Sequence, residues 1–262
     1  MLATALLCGS VFIACAQEET PKPDETLDIK TLKLADEDYA MPVPGEILST
    51  LKSAKPEVWT KVTAAAQSLD ISADDEASAA IQLGAAVADC FLSIETKDAA
   101  LFEKRSNTAL EAAKKLGAEQ AILDSGKSLQ DLVKEEAWMK LVPKLDNLHL
   151  ETLAAMRKVD DADSEAICLA SGWLRGLYLF SEGLLADYSA EPTLALRQKD
   201  LVNHLIKKMD GISDSAKESP QVKALSTALS KLPDALPDGK EDTLTKEQVA
   251  TLNEIAKSAF AK

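Results

Sequence analysis

Apolar residues recur along this chain at the spacing of helices, and no segment alternates convincingly as a half-buried strand would. Helix-start signals precede several of these segments: Pro56 in a first turn, acidic residues after Ser72, and a capping box that starts at Thr245. Gly117 has the position of a residue that ends a helix. The pattern predicts helices at about 56–69, 73–95, 101–116, 127–138, 139–159 with a kink or restart at Pro143, 162–187, 192–209 and 220–232, and a last helix after Thr245.

Two segments of the chain repeat one another. Residues 73–94 (ADDEASAAIQLGAAVADCFLSI) align without gaps on residues 159–180 (VDDADSEAICLASGWLRGLYLF), 86 positions later. After an insertion of seven residues, the basic end of the next helix aligns as well. Because a helix hairpin cannot bury its apolar face alone, two copies are expected to pack together. We predict an all-α fold, a helical bundle with two tandem helix-hairpin repeats at about 73–117 and 159–211 plus flanking helices.

Composition supports a globular helical protein. The 262 residues are 46% apolar and 27% charged, enough for a sizeable core, whereas aromatic residues make up only 4%. Abundant Ala, Leu, Lys and Glu favour helices over a sandwich or a barrel. The net charge of −14 argues against nucleic acid or an anionic membrane surface as a partner.

The N-terminal region predicts export. Residues 2–14 carry no charge but are shorter than the roughly 20 residues of a membrane span, so residues 1–16 are interpreted as a signal peptide. Two cleavage alternatives stay open. Ala14-Cys15-Ala16 is an A-x-A site that leaves Gln17 first, and the same region is similar to a lipoprotein box in which Cys15 is acylated. Residues 17–43, acidic and Pro-containing, are predicted to form a disordered linker before a helical domain at 44–262.

Two short motifs carry a resemblance to known proteins. One is G-x-x-x-A-D at residues 84–89, and the other is G-W-x-x-G-L-Y at residues 172–178. Over about residues 75–210 the chain resembles the paired helices of functionally uncharacterised envelope proteins, periplasmic or lipoprotein, of Gram-negative bacteria. The resemblance implies an all-helical secreted or lipid-anchored fold, and it brings no activity with it.

The search for catalytic chemistry finds no motif. The two histidines, His149 and His204, lack the spacing of zinc sites, and no C-x-x-C, G-x-S-x-G, P-loop or G-x-G-x-x-G sequence is present. Most acidic clusters lie at helix starts, where carboxylates complement the helix dipole. We therefore expect no metal, no cofactor and no enzymatic activity.

One charged residue is expected inside the core. Arg175 lies in CLASGWLRGLYLF, where apolar or small residues surround it, and an unpaired buried guanidinium would be very costly. Its repeat equivalent Asp89 is the predicted ion-pair partner, with Glu182 as the alternative. A structural role is preferred to a ligand-binding one.

Two cysteines are candidates for a disulfide bond, which export would permit. If the two repeat helices crossed in antiparallel fashion with Ala86 opposite Gly172, Cys90 would face Cys168 at bonding distance. The alternative is two free, buried thiols, and it is the preferred one. The antiparallel register also separates Asp89 from Arg175, so it competes with the ion pair.

The sequence thus predicts an exported, non-enzymatic binding or scaffold protein of the bacterial cell envelope, periplasmic and either soluble or lipid-anchored. Its partner is an unidentified protein or small ligand, and the membrane is reached only through Cys15. The alternative is a carrier of a small apolar ligand, held between the repeats near Trp173 and Tyr178. A carboxylate-dependent enzyme is a second alternative.

Overall fold

The structure is a computed structural model, and it describes residues 55–68, 72–158, 161–237 and 243–261. The predicted signal peptide 1–16, its lipidation candidate Cys15 and the linker 17–43 lie outside the described residues. The described residues belong to the predicted helical domain.

Within these residues the chain is helical and contains no strand, which confirms the all-α prediction. Ten α-helices and one short 3-10 helix, Glu191–Leu196, are formed. The α-helices are α1 (Pro56–Ser68), α2 (Glu76–Thr96), α3 (Ala99–Lys115), α4 (Glu119–Lys134), α5 (Trp138–Lys158), α6 (Ala162–Ala186), α7 (Lys199–Asp210), α8 (Asp214–Glu218), α9 (Pro220–Ala235) and α10 (Lys246–Ser258).

Polar side chains cap the ends of the main helices. Asp75 starts α2 with a capping box: its carboxylate accepts from the Ser78 amide, and the Ser78 hydroxyl accepts from the Asp75 amide. The predicted capping box at Thr245 and Gln248 starts α10. Asp161 accepts from an amide in the first turn of α6. The acidic helix starts are therefore explained in part by capping.

Two predicted boundaries are wrong. Helix α4 begins at Glu119 rather than near Lys127, because the burial of Ile122 and Leu129 outweighs the poor helix propensity of Gly126. The helix predicted over 192–209 is split, since Gln198 (φ −123°, ψ 40°) leaves the helical conformation between the 3-10 helix and α7.

Helices α2 and α6 lie side by side at the centre of the fold and run in the same direction. Their N-terminal ends, at Asp75 and Asp161, line one surface cavity. Nearer their C-terminal ends, Asp89 of α2 contacts Arg175 of α6. Residue numbers therefore rise together along both helices, so the antiparallel crossing that the disulfide alternative would require is not formed.

Glycines let these two helices approach closely. A Cβ atom on Gly84 would overlap the Cys168 carbonyl oxygen and the Ser171 hydroxyl, and a Cβ on Gly172 would lie 3.2 Å from the Gly84 carbonyl oxygen. The Ser171 hydroxyl uses this proximity to donate to a carbonyl of α2 at 3.1 Å. Gly84, rather than the Ala86 of the hypothetical antiparallel register, thus faces Gly172.

The remaining helices surround this central pair. Helix α3 folds back on α2, α1 and α10 pack against α6, and α5 contacts both central helices. Helix α4 packs on α5, and α9 packs on α7 and α10. By length and composition alone α2 would suffice to span a membrane, but 89% of its apolar window is buried inside the fold. Both central helices therefore serve as the core.

Candidate functional site

A buried ion cluster joins the two central helices. Arg175 Nε donates to Asp89 Oδ1 at 2.8 Å and its Nη2 to Oδ2 at 3.1 Å, a bidentate contact between residues that are 1% and 2% exposed. Arg105 of α3 brings its Nε within 3.0 Å of Asp89 Oδ2. One carboxylate thus lies between two guanidinium groups in the core.

The same cluster holds the C-terminal end of α1. Arg105 Nη2 and Arg175 Nη2 both donate to the Ala66 carbonyl oxygen, at 2.7 and 2.8 Å. Carbonyls in the last helical turn lack intrahelical partners and attract cations, so this contact is favourable. Arg175 also lies over the Tyr178 ring, 5.6 Å from its centroid. The cluster fastens α1, α2, α3 and α6 together.

Asp89 is therefore the partner of Arg175 that the repeat pointed to. The alternative partner, Glu182, instead accepts a hydrogen bond from Asn253 Nδ2 at 3.1 Å. The hydrogen bonds of Arg175 join α6 to α1 and α2, which is consistent with the structural role predicted for it.

The disulfide candidates Cys90 and Cys168 are free and buried thiols. In the parallel arrangement their positions differ by eight residues along the helix axis, which is about 12 Å at 1.5 Å per residue. A disulfide requires Cα atoms within about 7 Å, so the candidate bond does not form, and the preferred alternative of two free, buried thiols is the one observed. Burial raises the pKa of Cys168 to about 12, and burial together with the nearby Asp89 raises that of Cys90 further.

One feature available to a ligand is a cavity of about 270 Å³ that lies between α2, α3, α4 and α5. We call it the inner cavity. Its buried walls are mainly apolar, formed by Leu83, Val87, Phe102, Ala109, Ile122, Leu129, Leu145 and Leu148.

Three polar or polarisable side chains lie at the buried end of the inner cavity. His149 of α5 is 8% exposed, and burial alone lowers the pKa of its imidazole to about 4, so the ring is neutral near pH 7. The Thr152 hydroxyl donates to the Leu148 carbonyl at 2.7 Å and keeps its lone pairs for a further donor. Cys90 contributes its thiol.

The inner cavity opens between α3 and α4. Asn107, Leu123 and Gln130 line it and are exposed, which marks the mouth. Phe102 and Gln130 also line a second depression, the surface groove, which runs past Lys97 and Trp138. The groove and the inner cavity thus share one wall.

Neither predicted pocket residue lines the inner cavity or the surface groove. Trp173 is 5% exposed and its Nε1 donates to Gln198 Oε1 at 2.9 Å, which ties α6 to the segment before α7. Tyr178 is 4% exposed and lies under Arg175. Both aromatic rings are packed in the core, and the pocket between the repeats stays a prediction.

Sequence reasoning missed Arg105 and His149. Both interrupt an apolar helix face: Arg105 lies three residues after Phe102, and His149 follows Leu145 by four. A polar residue inside an amphipathic apolar stripe is the sequence signal that marks both positions.

Comparisons with models of known families, with characterised proteins and with solved structures found no significant match to this chain. Among the described residues, no three His, Cys, Asp or Glu side chains converge as a metal site requires. The ion cluster and the inner cavity are the features of the described residues that bear on function.

Proposed function

We propose that this protein binds a small, mainly apolar molecule in the inner cavity, and that it does so as an exported, non-enzymatic protein of the cell envelope. The observation that carries the proposal is the cavity itself, about 270 Å³ with apolar walls, a few polar groups and a mouth at the surface. Ligand sites have this composition, and cavities of about 150 Å³ already take up benzene.

The size of the inner cavity favours a ligand over a packing defect. The cavity is larger than the void of about 150 Å³ that already binds benzene, and a bound apolar molecule would remove its apolar walls from water. A close-packed helical core with this much space is best explained by a molecule that occupies it.

The rest of the molecule supports a rigid scaffold around the cavity. The exact 86-residue offset between Asp89 and Arg175 supports a duplicated hairpin, since equivalent positions then meet beside a pseudo-two-fold axis. In this interpretation α2 with α3 and α6 with α7 are the two copies. The ion cluster holds the copies together, and the inner cavity lies beside the first copy.

Export is supported by the uncharged segment 2–14 and by the small residues around Cys15. Mass spectrometry of the mature N-terminus tests it: we expect either an acylated Cys15 or a free Gln17. A chain that keeps Met1 would contradict export, and it would leave the ligand proposal standing.

Native mass spectrometry of protein purified from its own host tests ligand binding. We expect added mass on the natural chain, loss of that mass in Ala109→Trp, which fills the inner cavity, and retention in Ala100→Trp, which alters only the surface groove. Circular dichroism verifies that each variant folds, and Ala109→Phe is the milder replacement. A natural chain that carries no added mass and takes up no 2-naphthol in titration would contradict the proposal.

A further inference from the structure

The inner cavity holds one feature that apolar packing does not explain. His149 is buried and lines the cavity, and no group among the described residues forms a hydrogen bond or an ion pair with its imidazole. A neutral imidazole has one N–H donor and one nitrogen acceptor, and burying them unpaired costs about 1–3 kcal/mol. Such a group is retained most readily where a ligand supplies the missing partner.

The cavity walls restrict the charge of that ligand. None of the described residues that line the inner cavity is Asp, Glu, Lys or Arg, so its buried end offers no counter-charge. Transferring a carboxylate or an ammonium group from water to such a site is very unfavourable. The ligand class is therefore uncharged.

The geometry points to an uncharged, mainly apolar ligand that carries one hydroxyl group, which hydrogen-bonds to His149 at the buried end of the inner cavity. This inference rests on the proposed function and specifies its ligand class. A hydroxyl both donates and accepts, so it pairs with either ring nitrogen in either tautomer. The Thr152 hydroxyl, which already donates to Leu148, offers a second acceptor in the same region of the cavity.

Calorimetric titration of the full mature chain with three probes of one shape tests the inference. The probes are 2-naphthol, 2-methylnaphthalene, in which a methyl replaces the hydroxyl, and 2-naphthoate, which is charged. We expect 2-naphthol to bind about tenfold more tightly than 2-methylnaphthalene, the equivalent of one hydrogen bond, and 2-naphthoate to bind weakest.

Variants then assign the preference to His149. In His149→Phe, which keeps a ring but loses both nitrogens, the two neutral probes should bind equally. His149→Gln should retain part of the preference, and His204→Phe, which replaces the only other histidine, should keep all of it. Circular dichroism and thermal unfolding verify that each variant is folded.

The outcomes separate the two proposals. If the natural chain binds both neutral probes equally, and Ala109→Trp abolishes both, the cavity is a ligand site but the hydroxyl inference is overturned. A preference that survives unchanged in His149→Phe overturns it as well. If no probe binds, the proposed function itself fails.

Discussion

Asp89 and Arg175 are 86 positions apart in the sequence and form a bidentate ion pair in the centre of the fold, with Arg175 only 1% exposed. The separation equals the offset of the internal repeat. Together with the Gly84–Gly172 approach and the cavity shared by Asp75 and Asp161, the contact shows that α2 and α6 are parallel, and that arrangement keeps Cys90 away from Cys168. The sequence left two alternatives open, an Asp89–Arg175 ion pair and a Cys90–Cys168 disulfide. The structure contains the ion pair and not the disulfide.

Neutralising Asp89 should be the most damaging change in the ion cluster. Asp89→Asn leaves two buried guanidinium groups without a counter-charge, so we expect a loss of about 3–5 kcal/mol in the free energy of unfolding. Arg175→Met should cost less, because Arg105 still neutralises Asp89. Urea unfolding of the two single variants and the double variant measures the coupling.

Glu218→Gln is the control for this cycle, because it removes an exposed ion pair with Lys223 and should cause no measurable loss. Additive effects of the Asp89 and Arg175 substitutions would show that the pair contributes nothing as a pair.

Alanine at two helical glycines should have opposite effects. In Gly84→Ala the new Cβ has no room beside Cys168 and Ser171, and we expect a loss of about 3 kcal/mol from overpacking. A Cβ at Gly126 of α4 meets nothing within 4 Å, so Gly126→Ala should gain about 0.5–1 kcal/mol through helix propensity. Thermal unfolding compares them, and equal effects would contradict the close approach of α2 and α6.

His149 should make stability depend on pH in the acid range. Burial lowers its pKa from 6.5 to about 4, so the unfolded chain binds the proton more tightly than the folded one. The stabilising contribution is complete above pH 6.5 and falls as the pH drops toward 4, by about 3 kcal/mol in total.

The measurement is the difference in unfolding free energy between the natural chain and His149→Phe at pH 7 and at pH 4. We expect the natural chain to lose about 3 kcal/mol relative to the variant over this interval. A constant difference would mean that His149 is accessible to solvent and titrates normally.

The thiols of Cys90 and Cys168 should be inert in the folded protein. Burial raises the pKa of Cys168 to about 12 and that of Cys90 higher still, so little thiolate exists at pH 8. In a Cys8→Ser/Cys15→Ser chain, we expect no reaction with a disulfide reagent until denaturant is added, and then two thiols without prior reduction. Finding none after denaturation would indicate a disulfide and contradict the parallel register.

Local signals predicted most of the helices, but they did not predict the arrangement of the helices in space. Capping at Thr245 and the first-turn Pro56 are encoded within a few residues, and both helices begin where these signals indicate. The direction of α6 relative to α2 depends on contacts such as Gly84 with Gly172, which lie far apart in the sequence. The parallel and the antiparallel arrangement of α2 and α6 bury the same small-residue faces. The hydrophobic pattern of the sequence therefore could not distinguish the two arrangements.

The inner cavity could not be predicted for a similar reason. A void is a property of four helices packed together, and its lining residues, such as Leu83 and Leu145, have the same pattern as any core residue. His149 was the one readable signal, since it interrupts an apolar face. The aromatic residues Trp173 and Tyr178 suggest a pocket in the sequence, but in the structure their rings are buried and packed in the core.

Crystals of the mature chain soaked with 6-bromo-2-naphthol test the central claim most directly, because bromine is located by its anomalous scattering. We predict one bromine peak inside the cavity bounded by Leu83, Leu148 and His149, its loss in Ala109→Trp crystals and its retention in Ala100→Trp crystals. An empty cavity in the natural chain, or a peak confined to the groove beside Trp138, would contradict the claim that this protein binds a small apolar ligand in its helical core.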